Sequence, residues 1–183
     1  MIFLLYGKRK SGKDHFANLI KQNCPDVNLG RISEPLKAEY ANQHNLNLKE
    51  LLGDGPYKEK YRKDMVKWGE EMRKIDAGYF CSKIREEVNF VTDCRRMSDV
   101  QYFRDSFSEV KLLKIIASEC TRTSRGWIFT EGIDDAETEC GLDWLVPDAV
   151  IRNDYQTAGE LLDQFESVNS GCFCVNKIVN SDK

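Results

Sequence analysis

The chain opens with an unbroken apolar run, Ile2 to Tyr6, that stops at Gly7. A run without polar alternation predicts a strand buried on both faces of a parallel sheet. From Lys13 the apolar positions Phe16, Leu19 and Ile20 fall at i, i+3 and i+4, the stripe of a helix packed on that strand, and Cys24-Pro25-Asp26 closes it. Val27 to Ile32 predicts a short second strand. Pro35 stands where a helix begins, Leu36 to His44 continues it, and Leu48, Leu51 and Leu52 make a short helical stripe inside the turn-rich stretch from Asn45 to Gly55. Tyr61, Met65, Trp68, Met72 and Ile75 recur at steps of four, three, four and three, which predicts an amphipathic helix over 57–75 with that stripe in the core. Tyr79 to Val88 reads as a further helix. Phe90 to Asp93 reads as a short strand ending on an acid, and Val100, Phe103 and Phe107 mark the helix after it. Val110 to Ala117 predicts a buried strand, Ala149 to Ile151 a last short one, and Leu161, Leu162, Phe165 and Val168 a closing helix. Between them Glu119 to Asp143 is polar and lacks either period, and it is too long for an ordinary connection, so a functional lid is expected there. The tail, about 170–183, reads as loosely held.

Strands alternating with helices predict an α/β class: three layers, with a parallel, five-stranded sheet flanked by helices, right-handed crossovers and a lid segment. The 183 residues suit a single domain over 1–183, and 41% hydrophobic with 10% aromatic residues supply a core. Lys and Arg number 27 against 30 Asp and Glu, a net charge of −3, which argues against a basic nucleic-acid binder and confines any positive site to a local patch. The seven cysteines are odd in number and form no CxxC pair, so a reduced, cytosolic chain is expected. With two histidines, His15 and His44, a zinc site is not expected. The apolar opening is shorter than the about 7–15 residues of a signal segment, and no uncharged run approaches the about 18 residues of a membrane span. No nucleic-acid or membrane partner is expected.

The chemistry begins where the first strand ends. Gly7, Lys8, Arg9, Lys10, Ser11, Gly12 and Lys13 fit GxxxxGK, the loop whose backbone N–H groups wrap phosphates while its lysine reaches the β and γ positions. Its setting, after a buried strand and at the start of a helix, adds a helix N-terminus to the anion site. Asp14 stands where such loops carry Ser or Thr on magnesium; a carboxylate binds that ion directly or through water. Asp93 is a second magnesium candidate, with a helix cap or an Arg partner as the competing role. Arg95 and Arg96 follow at the edge of a parallel sheet where ligand crevices open, which suits anion contact. Lys58, Arg62 and Arg73 on the long helix suit either a positive wall for a second anion or a solvated face. Arg122 and Arg125 in the lid segment suit mobile cations that close over a transferring phosphoryl group. His15 is read as packing or surface, and no GxSxG elbow or Cys/His pair appears.

Four strings together resemble the animal-type phosphomevalonate kinases: GKRKSGKD at 7–14, YKEKYRKDMVKWGEEMR at 57–73, DCRRMSDVQYFR at 93–104 and RGWIFTEGIDDAETECGLD at 125–143. The Asp14 variant of the phosphate loop is the most specific part of the likeness. The resemblance implies a P-loop kinase fold like that of the nucleoside monophosphate kinases, with an acceptor-binding region at about 33–88 and the lid at about 119–143. It implies ATP with Mg2+ as donor and 5-phosphomevalonate as acceptor in isoprenoid and sterol synthesis by the mevalonate pathway, in a cytosolic monomer. Carried over, Lys13 and the loop resemble the ATP phosphate site, Arg95 a residue that stabilises the transferring group, and Arg73 and Arg96 acceptor contacts. Lys37, Lys58 and Arg62 resemble further acceptor contacts, Arg122 and Arg125 the lid arginines on ATP, and Asn153 a substrate-lining position. The chain departs from the pattern after Cys81, where an arginine is expected and Ser82-Lys83 stands. Two other readings share the scaffold: a nucleoside monophosphate kinase, and an ATP-binding switch without transfer.

Overall fold

All five residues of the first strand, β1 (Ile2–Tyr6), are buried, because the strand is covered on both faces and paired on both edges. The computed structural model describes residues 1–53, 55–169 and 171. β1 pairs in parallel with β3 (Phe90–Val91) on one side and β4 (Val110–Ile116) on the other. β2 (Leu29–Gly30) extends the sheet beyond β3 and β5 (Ala149–Arg152) beyond β4, giving five parallel strands in the order β2-β3-β1-β4-β5. The period of two along β1 sorts its side chains between the layers. Phe3 and Leu5 join Phe16 and Ile20 of α1 (Lys13–Asn23) and Phe165 of α8 (Ala158–Asn169) on one face. Ile2, Leu4 and Tyr6 join Val100 and Phe103 of α5 (Met97–Ser106) on the other. Phe3, Phe90 and Phe165 sit with ring centres 5.4–5.9 Å apart. Each such ring taken out of water contributes on the order of 1.5–3 kcal/mol.

A second, smaller apolar cluster holds three helices beyond the β2 edge: α2 (Ser33–His44), α3 (Leu48–Leu52) and α4 (Pro56–Ile75) meet at Tyr40, Ala41, Leu51 and Met65. At Gly69 of α4 the helices approach so closely that a Cβ would stand 2.7 Å from Leu36 Cδ1. The chain runs from β1 toward the β2 edge, returns to β3, then crosses over β1 to β4 and β5, so the direction of travel reverses at β1. Ligand crevices in such sheets open at the strand C-termini at that reversal, which is where Gly7–Lys13 lies.

Three expectations need correction. The stretch from Tyr79 to Val88 is not a helix but a set of turns around one 3-10 turn at Cys81–Lys83. The lid stretch is not without regular structure: it contains α6 (Glu119–Ser124) and α7 (Glu137–Cys140). In the α4 stripe Met65 is buried and Tyr61, Trp68 and Met72 are partly so, but Ile75 is 83% exposed because the helix overruns its partners. The expected tail, with Cys172 and Cys174, lies outside the described residues except for Gly171.

Candidate active site

The loop from Gly7 to Lys13 is shaped by positions that L side chains resist. Gly7 has φ +141° and a Cβ there would stand 2.2 Å from the Ile115 carbonyl oxygen; Gly12 has φ +89° and a Cβ would stand 2.1 Å from Asn153 Nδ2. Lys10, at φ +61°, takes the left-handed conformation despite its side chain, a strain of roughly 1–2 kcal/mol. Left-handed residues within a turn line up backbone N–H groups into an anion cradle, and α1 adds its N-terminus. Lys13 folds back over the cradle, its Nζ donating to the carbonyls of Gly7 at 2.6 Å and Lys8 at 3.0 Å. Burial first, and then the nearby Arg95 guanidinium, bring its pKa down to about 8.

The lid stretch meets this loop through two ion pairs and a backbone hydrogen bond. Lys8 Nζ meets Asp143 Oδ2 at 2.5 Å and Arg9 meets Asp134 Oδ2 at 2.8 Å. Glu139 of α7, its side chain 4% exposed, pairs with Arg95 through Oε1 and accepts the Arg9 backbone N–H at 2.9 Å through Oε2. A carboxylate therefore lies against the loop, on the Arg9 N–H. Arg122 stacks 4.0 Å from the centre of the Trp127 ring, whose Nε1 donates to Asp134. Arg125, expected to close on ATP, stands at the base of the loop, where it donates to the carbonyls of Lys10, Ser11, Asn153 and Asp154.

Asn153, expected to line the substrate, packs against the loop. It is 3% exposed at the end of β5, the far side of the loop from α2 and α4, and its Nδ2 donates to the Ser11 carbonyl at 3.0 Å. Its amide is consumed in holding the loop. Asp93 accepts from the backbone N–H groups of Ile32 at 2.7 Å and Ser33 at 3.0 Å, so this carboxylate caps α2. Asp14 pairs with Arg31 at 2.8 Å at the surface. Both acids lie near enough to Lys13 to act on its charge. Among the described residues no cluster of three or more His, Cys, Asp or Glu stands ready to hold a metal unaided. Two carboxylates beside a phosphate cradle nonetheless suit a hard cation that arrives with phosphate oxygens.

Arg95 and Arg96 point different ways from adjacent positions. Arg95 faces the loop lysine and Glu139; Arg96 pairs with Glu70 of α4 and lies beside Arg73. Arg73 covers the Phe80 ring at 4.7 Å, and burial followed by the charge of Arg96 lowers its pKa. The Arg96 Nε, buried, has no hydrogen-bond partner among the described residues. Lys58 and Arg62 stand on the first half of α4, where Arg62 pairs with Glu59 at 2.5 Å, and Glu59 in turn feels the charge of Arg9 across the crevice. Lys37 stands on α2, half-buried. After Cys81 the departure stands: Lys83 pairs with Glu39 at 2.8 Å and Ser82 Oγ donates to the Tyr79 carbonyl at 2.8 Å. Sequence reasoning missed Glu70, Asp99, Asp134, Glu139 and Asp143. Only Asp99 had a signal, an acid three residues into a helix; the lid acids look like any solvated loop.

A phosphate cradle at the reversal point of a parallel sheet, with cations on both sides and a lid over it, defines a P-loop phosphotransferase. A family model described as "Phosphomevalonate kinase" matches residues 5–109. A Drosophila melanogaster protein named phosphomevalonate kinase is 42% identical over 175 residues, 88% of this chain and 93% of the relative. The chain belongs to the phosphomevalonate kinase family. A solved structure of a sugar kinase from a Janibacter species, unliganded, aligns with a TM-score of 0.49 at 14% identity, covering 92% of this chain and 93% of that one.

Proposed function

We propose that this chain moves the γ-phosphoryl group of ATP to the phosphate of 5-phosphomevalonate, giving 5-diphosphomevalonate and ADP. The observation that carries the reading is a pair of like-charged contacts placed side by side. Burial first, and then the charge of Arg95, lowers the Lys13 pKa; burial first, and then the charge of Arg96, lowers that of Arg73, so two neighbouring positions each gather two cations suited to an anion. The first lies on the ATP loop and the second on the acceptor helices. An acceptor phosphate is mostly ionised near neutral pH, so its attacking oxygen needs no strong base. The barrier lies in bringing two anions together, and the remedies are cations and alignment. Lys8, Arg9, Lys13 and the loop N–H groups bind the ATP phosphates, which take over the seats of Asp143, Asp134 and Glu139. Arg95 stabilises the group in flight; Arg73 and Arg96, with Lys37, Lys58 and Arg62 around them, hold the acceptor. Arg122 closes from the lid, and Arg125 with Asn153 fixes the loop carbonyls.

Asp14 and Asp93 are the residues that would hold magnesium, and the ion would supply neutralisation of charge on the phosphate oxygens. We place the enzyme in the cytosol, a reducing compartment in which free thiols such as the five described cysteines persist. Product analysis tests the reading. Phosphorus NMR of a reaction with ATP, magnesium and 5-phosphomevalonate should show the paired resonances of a new diphosphate ester growing with ADP. A spectrum that stays unchanged, while a nucleoside monophosphate is converted, would sink it.

A further inference from the structure

The side chain of Asp99 is buried, 1% exposed, in the first turn of α5, directly under the two arginines. One of its oxygens, Oδ2, accepts the backbone N–H of both Arg95 at 3.1 Å and Arg96 at 3.0 Å. The other accepts the Cys81 thiol at 3.7 Å. An ordinary acid at this helical position reaches back to the cap N–H alone and stays wet. Here the carboxylate is dry and ties down a second peptide, and burying it is expensive unless its charge is answered. Burial raises its pKa, and the Arg95 N–H, then the charges of Arg73 and Arg96, offset that only in part. The peptides it holds are the ones from which Arg95 departs toward Lys13 and Arg96 toward Arg73 and Glu70.

The geometry points to Asp99 as the positioning residue that sets the fork between the donor and acceptor sites, fixing through two backbone hydrogen bonds where both guanidiniums stand. This inference rests on the proposed roles of Arg95 and Arg96. It touches neither substrate, so its signature is kinetic: a shift in the arginines changes kcat and the acceptor KM together and leaves the ATP KM alone. A misplacement of about 1 Å costs on the order of 100-fold in rate.

Asp99→Glu keeps the charge but adds a methylene, which pushes the fork out of place; kcat should fall about 10- to 100-fold and the acceptor KM rise, with the ATP KM within about 2-fold. Asp99→Asn keeps an amide oxygen for both N–H groups and turns its NH2 toward the thiol, so most of the activity should return. Asp99→Ala removes both bonds and should resemble or exceed the glutamate variant; where it fails to fold, the order of Asn above Glu carries the test alone. Rates are counted per active site by titration, with thermal unfolding alongside. A variant set that loses stability or active fraction while kcat per site and acceptor KM stay at the wild-type values overturns the inference, as does a glutamate variant more active than the asparagine one. Arg95→Ala and Arg96→Ala run in parallel. If they leave kcat and acceptor KM unchanged, the proposed roles fail and this inference with them; if they act as expected and Asp99→Glu does not, positioning alone is wrong.

Discussion

Lys13 carries its charge against resistance in the substrate-free protein. Its folded pKa of about 8 lies below the ordinary 10.5, so between these values the unfolded chain holds a proton that the folded one has lost. Stability therefore rises with pH across that window, and below pH 8 the penalty of the buried ammonium is present in full. Lys13→Met should keep or raise the melting temperature at pH 7 while lowering kcat by about 1,000-fold or more, since it removes a cation aimed at developing charge; thermal unfolding and steady-state kinetics on one preparation check both. A bound polyphosphate restores the lysine proton. Calorimetry at pH 8 in buffers of different ionisation enthalpy should then report proton uptake with ATP, and little uptake at pH 6.5, where Lys13 is already charged. Gly12 answers to sterics: at φ +89°, with Asn153 Nδ2 at 2.1 Å from a Cβ, Gly12→Ala must move the residue that holds the loop. It should lower the melting temperature by about 4 °C or more and raise the ATP KM. The loop residues were legible in the sequence because their chemistry is local, seven consecutive positions between a strand and a helix. Asp99 and Glu139 were not, because their meaning lies in partners that only the fold brings near.

The lid is the element whose state the acids decide. Lys8, Arg9 and Arg95 each pair with a carboxylate of this stretch, and under the proposed function ATP displaces all three. With Arg95 36% exposed, screening leaves its pair worth about 1 kcal/mol. Glu139→Gln should lower the ATP KM by about 5-fold, and an unchanged or higher KM would show that the lid acids do not compete with ATP. Element by element, period and run length decided what was readable. β1 and β4 announce themselves as apolar runs, and α4 as a repeating stripe. The stretch from Tyr79 to Val88 mimics a helix because Phe80, Cys81 and Val88 are buried. Their spacing is set by contacts to the sheet, such as Val88 against Gly30, and not by a helical turn. α6 and α7 are too short to show a period, and what holds α6 is local capping, with Ser118 Oγ accepting from Thr121 N and Asp154 accepting from Ser118 N.

At the scale of the whole molecule, a chain of net charge −3 gathers Lys8, Arg9, Lys13 and Arg95 around one loop. The sheet order places the Gly7–Lys13 loop at the reversal point, with Asn153 just after the edge strand β5. The alternation of strands and helices made this architecture legible. The side of the loop on which each late residue falls was not, because strand order is not written in strand sequence. The central claim is that two anions lie side by side, one on Lys13 and Arg95 and the other on Arg73 and Arg96. A crystal structure with 5-phosphomevalonate, magnesium and a non-hydrolysable ATP analogue tests it most directly. The account predicts the γ-phosphate on the first pair, the acceptor phosphate on the second with Arg96 Nε donating to it, and Asp134, Glu139 and Asp143 released from the loop. An acceptor phosphate bound away from Arg73 and Arg96, or ATP seated with Glu139 still on Arg95 and the Arg9 N–H, would contradict it.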